Sequence, residues 1–193
     1  MPNFYIISGC NGAGKTTASY TILPEILNCK EFVNADEIAK GLSPFQPETV
    51  SLQAGRIMLE RIRELLEQSV DFAIETTLTT LSYQKTIEVA KANGYTVTLL
   101  FFWLNDVNLA IERVKTRVME GGHNIPEEVF IRRYKKGINN LTKVFVNLCD
   151  YWLAIDNSSR PYTFIAEGNE DLETVVYNEV SWNKIKSANN EKQ

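Results

Sequence analysis

The chain alternates short apolar runs with longer stretches in which apolar residues recur every three or four positions. The first run, Asn3 to Ser8, has Phe-Tyr-Ile-Ile at its centre and ends in a glycine-rich turn, so it predicts a buried strand. Ala18 to Leu27 is helical in character, with Pro24 placed to kink or end it. Glu31 to Asn34 predicts a second strand. From Glu48 to Gln68, Leu52, Ile57, Met58, Leu59, Ile62, Leu65 and Leu66 predict a long amphipathic helix with a broad buried stripe. Asp71 to Glu75 predicts a third strand, followed by a threonine-rich loop and a helix around Tyr83 to Ala92.

The strongest strand signal is Tyr95 to Leu104, which is rich in β-branched and aromatic residues. Asp106 is placed to cap a helix running to about Met119, which Gly121 and Gly122 break. Pro126 opens another helix with Glu127 and Glu128 in its first turn. Two more strands, Tyr151 to Asp156 and Tyr162 to Ala166, flank Asn157-Ser158-Ser159-Arg160-Pro161. A last helix follows, and Ser187 to Gln193 reads as a loose tail. Strands alternating with helices predict an α/β fold, a single domain over 1–193 whose mostly parallel sheet is covered by helices on both faces.

The turn after the first strand carries the chemistry. Gly9-Cys10-Asn11-Gly12-Ala13-Gly14-Lys15-Thr16 fits G-x-x-x-x-G-K-[ST], directly after a strand and directly before a helix. Its glycines let successive backbone N–H groups face phosphate oxygens, and the helix dipole adds to them. Lys15 supplies a point charge for the β- and γ-phosphates, and the Thr16 hydroxyl an oxygen ligand for Mg²⁺. Cys10 occupies a free position of the motif and reads as incidental. The fold expected is therefore the three-layer sandwich of phosphate-loop NTPases, with a helical lid.

Composition narrows the class. The 193 residues are 44% hydrophobic and 23% charged, which excludes collagen-like, low-complexity and wholly disordered chains. The apolar runs are too short to span a bilayer as a helix, and no basic residue precedes the first of them as a secretory signal would require. Cys10, Cys29 and Cys149 show no paired spacing, which excludes a disulfide framework or structural zinc site and favours a cytoplasmic chain. A net charge of -4 argues against binding long nucleic acid or an anionic membrane. The segment from Asn105 to Asn147 nevertheless carries eight Lys+Arg against five Asp+Glu.

A GTPase would carry N-K-x-D, and the nearest string, Asn183-Lys184-Ile185-Lys186, ends in the wrong charge. A transporter ATPase would carry L-S-G-G-Q, which is absent. Small-molecule kinases remain, and they combine a phosphate loop, an acidic residue after the second strand and an arginine-bearing lid. Asp36 follows Lys15 by 21 residues, one helix and one strand, and its ionised carboxylate can accept a hydroxyl proton. Its other reading is an N-cap for the next helix. Glu37 is expected to be exposed. Glu75 ends the third strand, facing the ligand crevice of an open sheet, where it could hold a sugar hydroxyl or a Mg²⁺-bound water, or cap a helix. Asp156 ends its strand as a rival metal-site carboxylate, although the loop after it reads better as a base-binding edge.

The basic segment then becomes a helical lid over about 106–147. Arg113 and Arg117 share one helix face, and Arg132 and Arg133 follow on the next helix, with planar guanidiniums suited to phosphate oxygens. Which of Arg132 and Arg133 faces the phosphates stays open, and Arg113 is expected to matter less than Arg117. His123, the sole histidine, has no required part in phosphoryl transfer.

The ordered set of strings resembles the zeta-toxin-like kinases, especially their bacterial predicted-ATPase group. The matching strings are Gly9 to Thr17, Phe32-Val33-Asn34-Ala35-Asp36, Glu75-Thr76-Thr77-Leu78, Gly121-Gly122-His123-Asn124-Ile125-Pro126 and Asp156-Asn157-Ser158. The resemblance implies ATP as donor with Mg²⁺, and Gly9, Cys10, Asn11, Gly12, Ala13, Gly14, Lys15, Thr16 and Thr17 around the nucleotide. It implies Asp36 as the base, Glu75 with Thr77 near the acceptor, and Arg117 with Arg132 or Arg133 on the phosphates. It further implies a small hydroxyl-bearing acceptor, UDP-N-acetylglucosamine. Toxin members tend to be longer than this chain, which disfavours an antitoxin partner. Two other readings stay open: a kinase of the same fold acting on a nucleoside, antibiotic or RNA end, and an ATP-binding switch with weak ATPase activity that works through a partner protein.

Overall fold

The structure is a computed structural model that describes residues 1–119, 126–169 and 173–188. Its strands are β1 (Asn3–Gly9), β2 (Glu31–Val33), β3 (Phe72–Thr76), β4 (Thr96–Trp103), β5 (Tyr151–Asp156), β6 (Thr163–Asn169) and β7 (Val175–Val176). They form one sheet in the order β2-β3-β1-β4-β5-β6-β7. The first five are parallel, and β6 and β7 are antiparallel. The short link from β5 to β6 leaves no room for a crossover helix, so the chain can only turn back beside the strand it has left.

Period-two alternation along the central strands divides the core between the two faces. Phe4 and Ile6 of β1, with Val97, Leu99, Phe101 and Trp103 of β4, face one side. There they meet α3 (Ser51–Gln68), α4 (Tyr83–Ala92), α6 (Glu127–Lys143) and α7 (Glu179–Ser187). Tyr5 and Ile7, with Leu100 and Phe102, face the other side, against Leu23 and against Ala110, Ile111 and Val114 of α5 (Val107–Met119). The expected α/β sandwich, a mostly parallel sheet with helices on both faces, is what forms.

The remaining helices show where local pattern and tertiary packing part. The helix α1 (Lys15–Thr21) starts directly after Gly14, ahead of the expected Ala18. It runs into a π turn, Ile22–Ile26, in which Pro24, lacking an N–H, ends the helix. After α2 (Ala35–Leu42), a 3₁₀ turn at Pro47–Val50 leads into α3, so the expected long helix is two pieces. The stripe of α3 is Ala54, Met58, Ile62, Leu65 and Leu66. Leu52 and Leu59, expected inside it, are 81% and 41% exposed, and Ile57 is half-buried. They lie roughly a quarter-turn or more around the helix from the stripe's centre, beyond the width the sheet covers. Asp106 caps α5 as expected, accepting the Asn108 N–H at 2.8 Å. The end of α7 takes in Ser187, and residues 189–193 of the expected tail lie outside the described residues.

Phe72 stacks on Phe4 with ring centroids 4.5 Å apart, and both are fully buried. Phe72→Ala should destabilise the fold by about 3–5 kcal/mol in urea denaturation. Leu52→Ala should change it by less than about 0.5 kcal/mol. A large loss from Leu52→Ala would mean that α3 packs on a different face.

Candidate functional site

The β1–α1 turn is shaped by how closely it approaches β4 and the loop after β5. Gly9 has φ 137°, and a Cβ there would lie 2.1 Å from the Phe102 carbonyl oxygen, so no side chain fits. Gly14 stands at φ 82°, and a Cβ would meet the Asn157 amide at 2.6 Å. Inside the turn Ala13 N–H donates to the Cys10 carbonyl at 3.2 Å. The Gly14 carbonyl takes the Ala18 N–H, the first rung of α1. Thr17, further along α1, is exposed, and Asn11 is half-buried.

Lys15 is 6% exposed and its ammonium turns back into the turn. It donates to the Cys10 carbonyl at 3.0 Å and lies 3.6 Å from Glu75 Oε1. Thr16 Oγ1 donates to the same carboxylate, 2.8 Å from Oε2 and 3.1 Å from Oε1. The parallel pairing of β3 with β1 sets Glu75 opposite Ile7, just before the turn, which brings a carboxylate to both residues. Glu75 therefore does not cap a helix.

Asp36 lies in the first turn of α2, exposed, and the capping role falls to its neighbour. Asn34 Oδ1 accepts the Asp36 N–H at 2.9 Å, so Asp36 itself is not the N-cap. Glu37 pairs with Lys40 at 2.6 Å and is half-buried rather than fully exposed. Asp156 accepts from the backbone N–H and hydroxyl of Ser158, which closes a turn after β5.

The arginines separate. Arg113 stands beside Gly12 of the glycine turn, and its guanidinium donates to the Asn157 and Ser158 carbonyls, both at 3.0 Å. Arg133 lines a crevice with Cys10, Thr77, Trp103 and Gly137, between the glycine turn and α6. Arg132 and Arg133 are both exposed, and Arg132 does not line this crevice. The side chain of Arg117, together with Gly121, Gly122 and His123, lies outside what the structure describes.

Gly137 and Asn140 shape the site without having been singled out in the sequence, whereas Asn157 stood in the quoted string Asp156-Asn157-Ser158. Gly137 admits the Thr77 carbonyl so closely that a Cβ would lie 2.6 Å from it. Asn140, buried one turn later, donates to the Leu78 carbonyl at 2.6 Å. Together they fix the loop after β3 against α6, and Thr77 Oγ1 lies 3.1 Å from Thr79 Oγ1 there. A lone glycine inside a helical pattern is the one signal that could have pointed to Gly137. Asn157 Nδ2 donates to the Ala13 carbonyl at 2.8 Å, tying the loop after β5 to the glycine turn.

Burial pushes the Cys10 thiol up to about 11, against weaker opposing pulls from Lys15 and Arg113. Burial likewise raises the Tyr134 hydroxyl, which donates to the Leu104 carbonyl beside the crevice. No helix among the described residues is long and apolar enough to cross a membrane.

Comparison with known proteins places this arrangement. The family profile described as Zeta toxin matches residues 1–178. An uncharacterised protein of Haemophilus influenzae is 31% identical over 126 residues, covering 65% of this chain and 88% of its own length. Among solved structures, a chain of the AvrRxo1-ORF1:AvrRxo1-ORF2 complex with sulphate ions superposes with a TM-score of 0.77 at 18% identity. It covers 97% of this chain, which spans 64% of that one. The same complex crystallised with ATP gives 0.75 at 18% identity, over the same shares of the two chains. The PezAT toxin–antitoxin system of Streptococcus pneumoniae gives 0.70 at 16% identity, over 100% of this chain and 80% of that one. At these identities the superpositions speak to the fold.

A protonated Cys10 is a poor nucleophile. At pH 8 its alkylation by iodoacetamide, followed by peptide mapping, should run at least about 100-fold slower than that of free cysteine. The rate should climb by about tenfold per pH unit and level off only near pH 11, where free cysteine has long since levelled off. Ordinary reactivity at pH 8 would mean that the thiol is not buried as described.

Proposed function

The chain belongs to the Zeta toxin family, and from that membership and the site's geometry we propose that it transfers the γ-phosphoryl group of ATP to a hydroxyl of a small acceptor. The observation that carries this reading is the meeting of Lys15, Thr16 and Glu75 at the glycine turn. A nearly buried lysine at the start of a helix, held by a carbonyl and a carboxylate, is placed to take anionic oxygens in their stead.

The donor set also fits Mg²⁺. Thr16 and Glu75 offer hard oxygens already within 2.8 Å of each other, the ligand type this ion takes. In this reading Thr16 and Glu75 hold the ion, which when bound neutralises charge on the phosphates. Lys15 stabilises the charge that builds on the transferring group.

The acceptor oxygen forms a bond to the γ-phosphorus as the bond from that phosphorus to the β–γ bridging oxygen breaks, with ADP leaving. Asp36, in the first turn of α2 just after β2, the strand that pairs with β3, takes the acceptor's proton. Thr77 and Glu75 orient the acceptor, and Arg133, with Arg117 or Arg132, meets the phosphate oxygens. UDP-N-acetylglucosamine is the first acceptor to try, on family grounds. Nothing in the site singles it out from other sugar nucleotides.

Labelled-ATP transfer assayed across UDP-sugars, nucleosides and aminoglycosides tests the reading directly. Lys15→Ala should abolish transfer in a chain that still folds by circular dichroism, and comparable turnover in that variant would sink the assignment. Asp36→Asn should keep ATP binding and lower turnover by about 100-fold or more. Because Asn34 provides the helix cap, its melting temperature should stay close to that of the parent. Unaltered turnover would move the base to another residue.

A further inference from the structure

The phosphate loop is held by contacts that come from outside its own strand and helix. Asn157 Nδ2 donates to the Ala13 carbonyl at 2.8 Å. The Ala13–Gly14 peptide is planar and trans, so fixing its carbonyl toward Asn157 fixes the Gly14 N–H in the opposite direction. Asn157 is itself fixed. Arg113 on α5 donates in a fork to the Asn157 and Ser158 carbonyls, both at 3.0 Å. Ser158 is held in turn by the Asp156 carboxylate through its N–H at 2.9 Å, and its hydroxyl accepts the Asn105 N–H at 2.8 Å.

We infer that Asn157, braced by Arg113, is a positioning residue for phosphate binding: it sets the Ala13–Gly14 peptide so that the Gly14 N–H is oriented for anionic oxygens before the ligand arrives. The donor could not be replaced by a larger side chain at the loop, because the Gly14 Cα already stands against the Asn157 amide and a Cβ there would approach it to 2.6 Å. The two residues are 143 positions apart, so only the folded sheet brings them together. Preorganised backbone donors cost nothing to reorient when the charge appears, which is where such a strut acts. Arg113 thereby has a role distinct from the phosphate-gripping one expected of a lid arginine. It braces the loop from behind through carbonyls and needs no contact with nucleotide.

This inference rests on the phosphate-binding part of the proposed function but not on transfer. Binding of ATP, inorganic triphosphate and adenosine to the full chain is measured by calorimetry for the parent, Asn157→Ala and Asn157→Asp. Asn157→Ala should weaken ATP and triphosphate alike by about 10-fold, the scale of one lost oriented hydrogen bond, and leave adenosine unchanged. Asn157→Asp keeps the shape but cannot donate, and its carboxylate would face the Ala13 carbonyl, so its loss should be at least as large. Arg113→Ala should weaken triphosphate on its own and add less than about twofold in the Asn157→Ala background, as residues acting through one contact do. In the unaltered chain, triphosphate should shift the Gly14 amide resonance and the Asn157 side-chain amide resonance together. Parent-like triphosphate binding by Asn157→Asp, an equal loss of adenosine, or a stationary Gly14 amide signal would each overturn the inference. A parent chain that binds triphosphate yet transfers nothing would sink the kinase reading and leave the strut in place.

Discussion

An ammonium group cannot be buried alone, and Lys15 is nearly buried. Its charge is met by the Cys10 carbonyl at 3.0 Å and the Glu75 carboxylate at 3.6 Å. Those two contacts presuppose almost everything else in the site. The carbonyl is available because the turn between β1 and α1 closes on itself through Ala13 and Cys10. The carboxylate is available because β3 runs parallel to β1, so that both strands deliver their carboxyl ends to one edge of the sheet. An antiparallel β3 would have left Glu75 at the opposite edge and the lysine without a counter-charge.

The turn is pressed from two sides. Beneath it, Gly9 lies against the Phe102 carbonyl at a distance that admits no side chain. Beside it, Asn157 reaches across from the loop after β5. Beyond β3, Gly137 and Asn140 of α6 clamp the Thr77 and Leu78 carbonyls. The lower half of α6 is thus part of the core rather than a free cover, with Ile138 and Leu141 buried beside Phe145. The exposed pair between Lys115 and Glu127, 3.9 Å apart, is a weak link between α5 and α6.

Much of the site was legible along the chain because its signals are local. A glycine-rich turn between an apolar run and a helix specifies its own conformation, and Lys15 and Thr16 follow at fixed spacing. Glu75 was legible as the last residue of a strand, although not as the partner of Lys15. Helix capping was read one step off: Asn34 and Asp36 are both good caps by type, and only the backbone settles that Asn34 accepts the Asp36 N–H. Leu52 and Leu59 looked like core because periodicity reports which residues share a face, not how far around the helix the sheet reaches.

The sequence by itself determined the α/β order of elements, the phosphate loop and the membership that its strings suggested, since each depends on residues within a few positions of one another. The antiparallel return of β6 beside β5 came from the structure, where the link of six residues is too short for a crossover. Only the tertiary structure decided that Arg113 donates to the loop after β5, that Arg133 rather than Arg132 lies beside Cys10 and Thr77, and that Asn157 touches Ala13. Those outcomes turn on which side chains meet across the sheet. Contacts between residues 44 or 144 positions apart follow from strand order and register, which no local pattern of residue types encodes.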